Sequence, residues 1–366
     1  MNLPPHRRRT LEEVAEARLR SVRQGRLLAG PETLQVNLQN ACNLNCIFCW
    51  NHSPLLRTHP PDWHRQRLSE AHLADVIASL PGLRPGRLQL SGRGEPLLHP
   101  GAMRLLGAAR SLGVPTTVQT NGLDGPSPRQ LVEVGVEHLA VNLSAGTEEG
   151  FERTHPGKGH RLGAVVERLE AIAELRSPAG TPRVTVLAVI QQESTEELVP
   201  LVELAAAVGA EGVQLKGMEH LAGLEQLALA GAELDRARTE LGRARRRAEA
   251  LGVRLDADHL EWVLRPTTRD GRFSEQLAAG PCFMGWYYLR VTCDGRVMFC
   301  CKDKLVDHLD RRSLYAIWRS AAYHLLRLGG RDGDSTVGLF DAKCRACSNV
   351  LRNEEIRLAL AARESG

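Results

Sequence analysis

The cysteines mark where this chain can do chemistry, and they fall into two groups. Cys42, Cys46 and Cys49 lie in NACNLNCIFCW, while Cys282, Cys293, Cys300, Cys301, Cys344 and Cys347 follow a stretch, residues 50 to 281, that contains none. Three thiolates at a C-x3-C-x2-C spacing match neither a disulfide, which takes two, nor a closed tetrahedral zinc site, which takes four. They suit a cubane iron–sulfur cluster whose fourth iron keeps open positions for an exogenous chelate. A zinc loop completed by a distant ligand, or three free thiols, is the competing reading.

Composition narrows the setting. The 366 residues are 43% hydrophobic and 25% charged, which suits a soluble globular enzyme with one large and one smaller domain. No run approaches the roughly 18 apolar residues of a membrane span, and the basic start has no apolar stretch behind it. A cytoplasmic location with no membrane partner is therefore expected. In a reducing compartment nine cysteines indicate metal centres rather than disulfides. A net charge of +4 does not demand a polyanionic partner.

The elements that must position the first three thiols alternate in type. Short apolar runs at 34–38, 87–91, 116–120, 138–144, 183–190 and 212–217 read as strands, and amphipathic stretches at 69–80, 99–113, 127–135, 162–176 and 195–209 read as crossover helices. Six βα units predict an α/β fold, a partial (β/α)6 TIM-like barrel with its site at the carboxyl ends of the strands, where the cysteine loop sits. The expected organisation is an N-terminal helical extension (1–33), the barrel (34–218), a helical linker (219–280), a small cysteine-rich α+β domain (281–350) and a C-terminal helix (351–366). In the linker, the arginines of GRARRRAEALG read as a solvated face, with Arg236 paired to Glu240 and Arg245 to Glu249. Nucleic acid is not expected as a partner.

The first cysteine motif resembles that of the radical S-adenosylmethionine (SAM) superfamily. The resemblance implies that Cys42, Cys46 and Cys49 hold a 4Fe-4S cluster, that SAM chelates its fourth iron, and that reductive cleavage of SAM yields a 5'-deoxyadenosyl radical that takes a hydrogen atom from substrate. Phe48 matches the family's aromatic position and would shield the cluster. SGRGEP, residues 91 to 96, resembles the GGEP motif that meets the SAM ammonium, so Gly92, Gly94 and Glu95 are candidate SAM contacts. Thr120 and Asn121 in QTNG, Asn142 and Ser144 in NLSAG, and Gln191 after the fifth strand are further candidates. Lys216, after the sixth, faces either substrate or solvent.

The C-terminal group resembles the SPASM/twitch extension of such enzymes: a cysteine, a hairpin turning at Asp294-Gly295, a cysteine, a helix and a C-x2-C. The resemblance implies one auxiliary 4Fe-4S cluster on Cys282, Cys300, Cys344 and Cys347. Cys301 can replace Cys300, and alternation along a strand argues that only one of the two ligates. Zinc is the alternative metal. Cys293 and Cys301 are then spare thiols, either inert or donors of a hydrogen atom to a substrate radical.

A fully ligated second cluster can accept an electron, which points to an oxidoreductase, served by an external one-electron donor such as flavodoxin or ferredoxin. The main expectation is dehydrogenation or epimerisation of a sugar or aminocyclitol in antibiotic biosynthesis, because only about 33 residues precede the first strand, too few for the leader-binding module of many peptide maturases. The alternative is a maturase that installs a crosslink or oxidation in a ribosomal peptide or protein side chain. His52, Glu219 and His220 are candidate bases for a dehydrogenase.

Overall fold

A computed structural model describes residues 11–56, 59–218, 223–265, 281–340, 344, 347 and 349–362. One ten-stranded sheet organises them. Its first six strands are β1 (Thr33–Val36), β2 (Arg87–Leu90), β3 (Thr116–Thr120), β4 (His138–Asn142), β5 (Arg183–Ile190) and β6 (Gly212–Gly217), each paired in parallel with the next. These match the six expected strands. Parallel strands are buried on both faces, which is why RVTVLAVI reads as a nearly unbroken apolar run and is buried at six of its eight positions.

The crossover helices are α2 (Glu70–Leu83), α3 (Ala102–Ser111), α4 (Pro128–Glu133), α5 (Glu148–Thr154), α6 (Leu162–Leu175) and α7 (Leu198–Ala207), after an N-terminal α1 (Leu11–Gln24). Side chains set their starts. The Ser69 hydroxyl accepts from the His72 amide at 3.2 Å to begin α2, and Ser127 and Gln130 form a reciprocal capping box at α4.

Two features depart from the expected plan. The region read as a helical linker holds α8 (Ala232–Leu251) but also a seventh parallel strand, β7 (Arg254–Asp256), against β6, and then α9 (Asp258–Val263). Most of the α8 arginines are paired, though not as expected: Arg236 meets Glu196 and Glu233, Arg238 meets Asp235, Arg243 meets Glu240, Arg245 meets Glu261 and Arg247 meets Glu203. Long arginine side chains find carboxylates on neighbouring elements as readily as on their own helix.

The second departure bears on function. After the short α10 (Met284–Tyr287), β8 (Tyr288–Val291) adds in parallel to the free edge of β1, with Val36 opposite Val291. Antiparallel β9 (Arg296–Met298) and β10 (Leu305–His308) continue outward from β8. The C-terminal cysteine region therefore extends the barrel sheet itself, and the turn after β8 lies at the same end as the loop after β1. Helices α11 (Leu314–Trp318), α12 (Ala321–Asp332) and α13 (Val350–Ala361) complete this region. Arg327 of α12 is fully buried, donates to the carbonyls of Gly285 and Trp318, and lies 4.0 Å from the ring centroids of both Trp318 and Tyr323. It ties α12 to the turn that follows Cys282.

Candidate active site

The loop after β1 carries Cys42, Cys46 and Cys49 into partly buried positions close enough to oppose one another's ionisation. Burial is the dominant effect: it pushes the Cys42 thiol up to about 11, Cys46 well above its ordinary value and Cys49 upward. Three desolvated thiols with mutual repulsion are a poor arrangement for free thiolates and a good one for ligands of a cationic metal core. Amide groups are aimed at the sulfurs, Asn121 Nδ2 at 3.9 Å from Cys42 Sγ and the Asn51 N–H at 3.5 Å from Cys49 Sγ. Such hydrogen bonds set a cluster's potential. The residues present fit the group the sequence implies.

Gly94 has a specific steric reason. A Cβ there would lie 2.2 Å from the Ala41 carbonyl oxygen, and the Glu95 amide donates to that same oxygen at 2.9 Å. The cysteine loop is thus seated directly on the SGRGEP backbone. Gly92, at φ +152°, leaves room for the Asn37 side chain.

Glu95 is buried, and its carboxylate accepts from the Leu97 N–H (3.0 Å), the Thr120 hydroxyl (2.7 Å) and the Asn121 N–H (2.8 Å). Burial outweighs these donors and holds its pKa at about 7. Glu95 and Thr120 together lock the end of β2 to the end of β3. Asn121 goes on to donate to Asn43 Oδ1 at 2.7 Å, and Asn43 donates to Asp124, which pairs with Arg161. That chain fixes the cysteine loop from the β3 side.

The remaining candidates line the same end of the sheet. Ser144 Oγ accepts from the Val189 N–H at 3.1 Å, and Asn142 Oδ1 accepts from Gln119 at 3.3 Å. Gln191 is fully buried at the end of β5; its Oε1 accepts from the Glu193 N–H, while its Nε2 has no acceptor among the described residues. A buried donor without a partner is costly unless a ligand supplies one, which fits a cofactor contact at this position. Lys216 is half-buried near the end of β6. His52 donates from Nε2 to the Arg93 carbonyl at 2.9 Å and packs against Trp63 and His64, so it supports the loop. Glu219 and His220 lie outside the described residues.

Phe48 joins Ile47, Met218, Leu224 and Leu227 in a small apolar cluster, with its ring edge-on to His155 at 5.8 Å. His155 stacks on Phe151, and burial holds its pKa at about 4, below its ordinary 6.5. The unfolded chain binds that proton more tightly, so the contribution is present above pH 6.5 and lost as pH falls through 4. We expect acidification across this window to cost about 3 kcal/mol of folding free energy from this ring alone. His155→Phe, which keeps the stack, should flatten the dependence of the denaturation midpoint on pH; an unchanged slope would contradict the assignment.

At the C-terminal group the structure corrects one expectation. Strand β9 ends at Met298, so Cys300 and Cys301 follow the strand, and alternation does not separate them. Cys300 lies within electrostatic reach of Cys344 and Cys347, Cys282 of Cys300 and Cys347, and Cys301 hydrogen-bonds Cys347. Five thiols gather here, one more than a single fully ligated cluster needs and three fewer than two would need. Burial pushes Cys282 up to about 12 and Cys300 up to about 11, while the contact with Cys347 and burial raise Cys301 well above its ordinary value. Asn349 Nδ2 lies 3.0 Å from Cys301 Sγ and Asn353 Nδ2 lies 3.9 Å from Cys282 Sγ. Cys293 is apart from them, buried in the turn after β8 within electrostatic reach of Arg93.

The two cysteine regions touch through charges that sequence reasoning did not find. Arg93, inside SGRGEP, pairs with Asp303 at 3.1 Å. Asp303 also pairs with Arg290 of β8, and Arg290 Nη1 donates to the Cys301 carbonyl at 3.0 Å. Lys302 sits 5.9 Å from the ring centroid of Trp50, the residue after Cys49. The loops that follow Cys49 and Cys301 are in direct contact.

Comparison with known proteins agrees with this arrangement. Residues 36–205 match the radical SAM superfamily model and residues 282–348 match an iron-sulfur cluster-binding domain, SPASM. The chain is 27% identical over 336 residues to the PqqA peptide cyclase of Gluconobacter oxydans (strain 621H), covering 88% of this chain and 84% of that one. It is 27% identical over 341 residues to the PqqA peptide cyclase of Streptomyces rochei, covering 87% and 82%. Streptococcus suis SuiB bound to S-adenosylmethionine shares the fold, with a TM-score of 0.59 and 16% identity over 86% of this chain and 71% of that one. Native anSMEcpe with bound AdoMet does so with a TM-score of 0.58 and 14% identity over 91% and 98%. The cofactors are therefore SAM with its 4Fe-4S cluster, and auxiliary iron–sulfur in the C-terminal domain. The chain carries a radical SAM domain over residues 36–205 and a SPASM iron-sulfur cluster-binding domain over residues 282–348.

Proposed function

We propose that this radical SAM enzyme is a peptide maturase, which removes hydrogen from a side chain of a peptide substrate and leaves a covalent crosslink. The observation that carries the reading is that the chain aligns with peptide cyclases across both cysteine regions, over 88% of its own length. It displaces the expected sugar or aminocyclitol oxidation in antibiotic biosynthesis. The rim of the site supports it: Trp50 and Leu55, just past the third cysteine, are exposed at 54% and 49%, an apolar edge on which a polymer can lie.

When bound, the SAM-ligating cluster supplies the electron that splits SAM into methionine and a 5'-deoxyadenosyl radical. Cys42, Cys46 and Cys49 would hold that cluster. Gln191 offers its unpartnered N–H to the nucleotide, and the polar strand ends at Asn142 and Ser144 face the same side. Glu95, Thr120 and Asn121 keep this wall rigid, and Phe48 with its apolar neighbours excludes water from the cysteine loop. Forming a crosslink removes two hydrogens in all, so one electron must leave the substrate after the first hydrogen atom has gone. Cys282, Cys344, Cys347 and either Cys300 or Cys301 would hold the auxiliary cluster, which would supply an electron acceptor.

The test is anaerobic turnover with SAM, dithionite and short peptides encoded beside the gene. A peptide product lighter by two hydrogens, formed with 5'-deoxyadenosine, supports the proposal. Turnover of a sugar or aminocyclitol with no change in any peptide would replace it.

A further inference from the structure

Outside both sets of candidate cluster ligands, His72, His308 and Asp310 place two ring nitrogens and a carboxylate oxygen within 4.8 Å of one another. His72 Nε2 is 2.7 Å from Asp310 Oδ1, and His308 Nδ1 is 3.2 Å from Asp310 Oδ2. The rings are 5.7 Å apart between centroids and inclined at 72°, so they converge on the carboxylate without stacking. His72 belongs to the first turn of α2 in the radical SAM region; His308 ends β10 and Asp310 follows it in the SPASM region. The fold alone brings them together.

We infer that these three residues bind one divalent transition-metal ion, best matched by zinc, which staples the SPASM hairpin to the radical SAM region. Two imidazoles and one carboxylate are a borderline-to-hard donor set, suited to Zn²⁺ or Co²⁺ and unsuited to an iron–sulfur cluster or Cu(I), which take thiolates. The Asp310 side chain is 70% exposed, so the fourth position opens to water. The backbone makes space for the rings. Gly295, at φ +83° in the turn between β8 and β9, has no Cβ, and one would come within 2.5 Å of His72 Cε1 and 2.8 Å of His308 Cε1. The Leu309 N–H donates to the Gly295 carbonyl at 2.9 Å, fixing the residue between the two C-terminal ligands. The same turn holds Cys293 and sits at the end of β8 beside β1, so an ion here would set how the SPASM region meets the cysteine loop. The competing account is an ion-paired triad that needs no metal.

The test uses enzyme reconstituted with both clusters, so that the thiols are occupied, then passed over a chelating resin and titrated with Co²⁺ while its visible bands are followed. One equivalent per chain with the spectrum of nitrogen and oxygen ligation, displaced by Zn²⁺, is expected. Zn²⁺ should also raise the thermal midpoint in a concentration-dependent way. His308→Ala and Asp310→Asn should weaken Co²⁺ binding by at least about a hundredfold and abolish the Zn²⁺ shift, with the iron content unchanged. Asp310 is exposed, so its variant stays informative if His308→Ala folds poorly. No binding by the wild type at micromolar Co²⁺, or equal binding by Asp310→Asn, would overturn the inference. Neither outcome depends on which substrate the enzyme turns over.

Discussion

Cys46→Ala is expected to eliminate SAM cleavage while leaving the protein folded. Burial, together with Cys49 and Cys42, opposes the ionisation of Cys46 and raises its pKa well above the ordinary value. Without it two thiolates remain, too few to retain a cubane that must also keep one iron free for SAM. Iron should fall from about eight to about four per chain. Because the cofactor carries the chemistry, 5'-deoxyadenosine formation should drop by at least about a millionfold, below detection. The loop is seated by backbone contacts, such as the Glu95 amide on the Ala41 carbonyl and the Ile47 amide on the Thr154 carbonyl, so circular dichroism should be unaltered. Cys293→Ala is the contrast, since its thiol lies apart from both sets of candidate cluster ligands. It should keep all the iron and full SAM cleavage. Cleavage that survives in Cys46→Ala would remove the basis of the functional reading.

Much of this was legible because the chemistry is local in sequence. The six strands announce themselves as apolar runs with helices between, and the three-cysteine motif lies in one loop. What escaped is long-range or short. Strand β7 is three residues, RLD, with no periodicity to detect. The addition of β8 to the edge of β1 is a pairing across more than two hundred residues, which no propensity encodes. Reading Cys300 and Cys301 as alternating strand positions failed because the strand stops two residues earlier. Glu95 was visible as a motif residue, yet its three donors come from Leu97, Thr120 and Asn121, so much of its work is holding two strand ends together. Arg93 stands inside that same motif, but its partner is 210 positions away.

That pairing yields the second large effect. Asp303→Ala is expected to lower crosslinked product about a hundredfold, the cost of misplacing reacting groups by an ångström or so, while SAM cleavage persists. Asp303 is held between Arg93, on the SAM side, and Arg290, whose side chain is only 7% exposed and also meets the Cys301 carbonyl and the Tyr288 side chain. Removing the carboxylate leaves the buried Arg290 guanidinium without its charge partner and frees the loop after Cys301 from the SGRGEP segment. We expect a loss of about 2 kcal/mol in stability, less than for a fully buried pair because Asp303 is 39% exposed. The two arms are separable. Arg93→Ala breaks the bridge between the regions but keeps Arg290 paired, so it should uncouple SAM cleavage from product formation with little change in stability. Stability and product yield measured for Arg93→Ala, Asp303→Ala and the double variant form a cycle. If the bridge couples the two regions, the yield losses will overlap and the double variant will be scarcely worse than Asp303→Ala. Losses that simply add would mean that Arg93 acts on its own side of the site and that Asp303 matters only for burying Arg290.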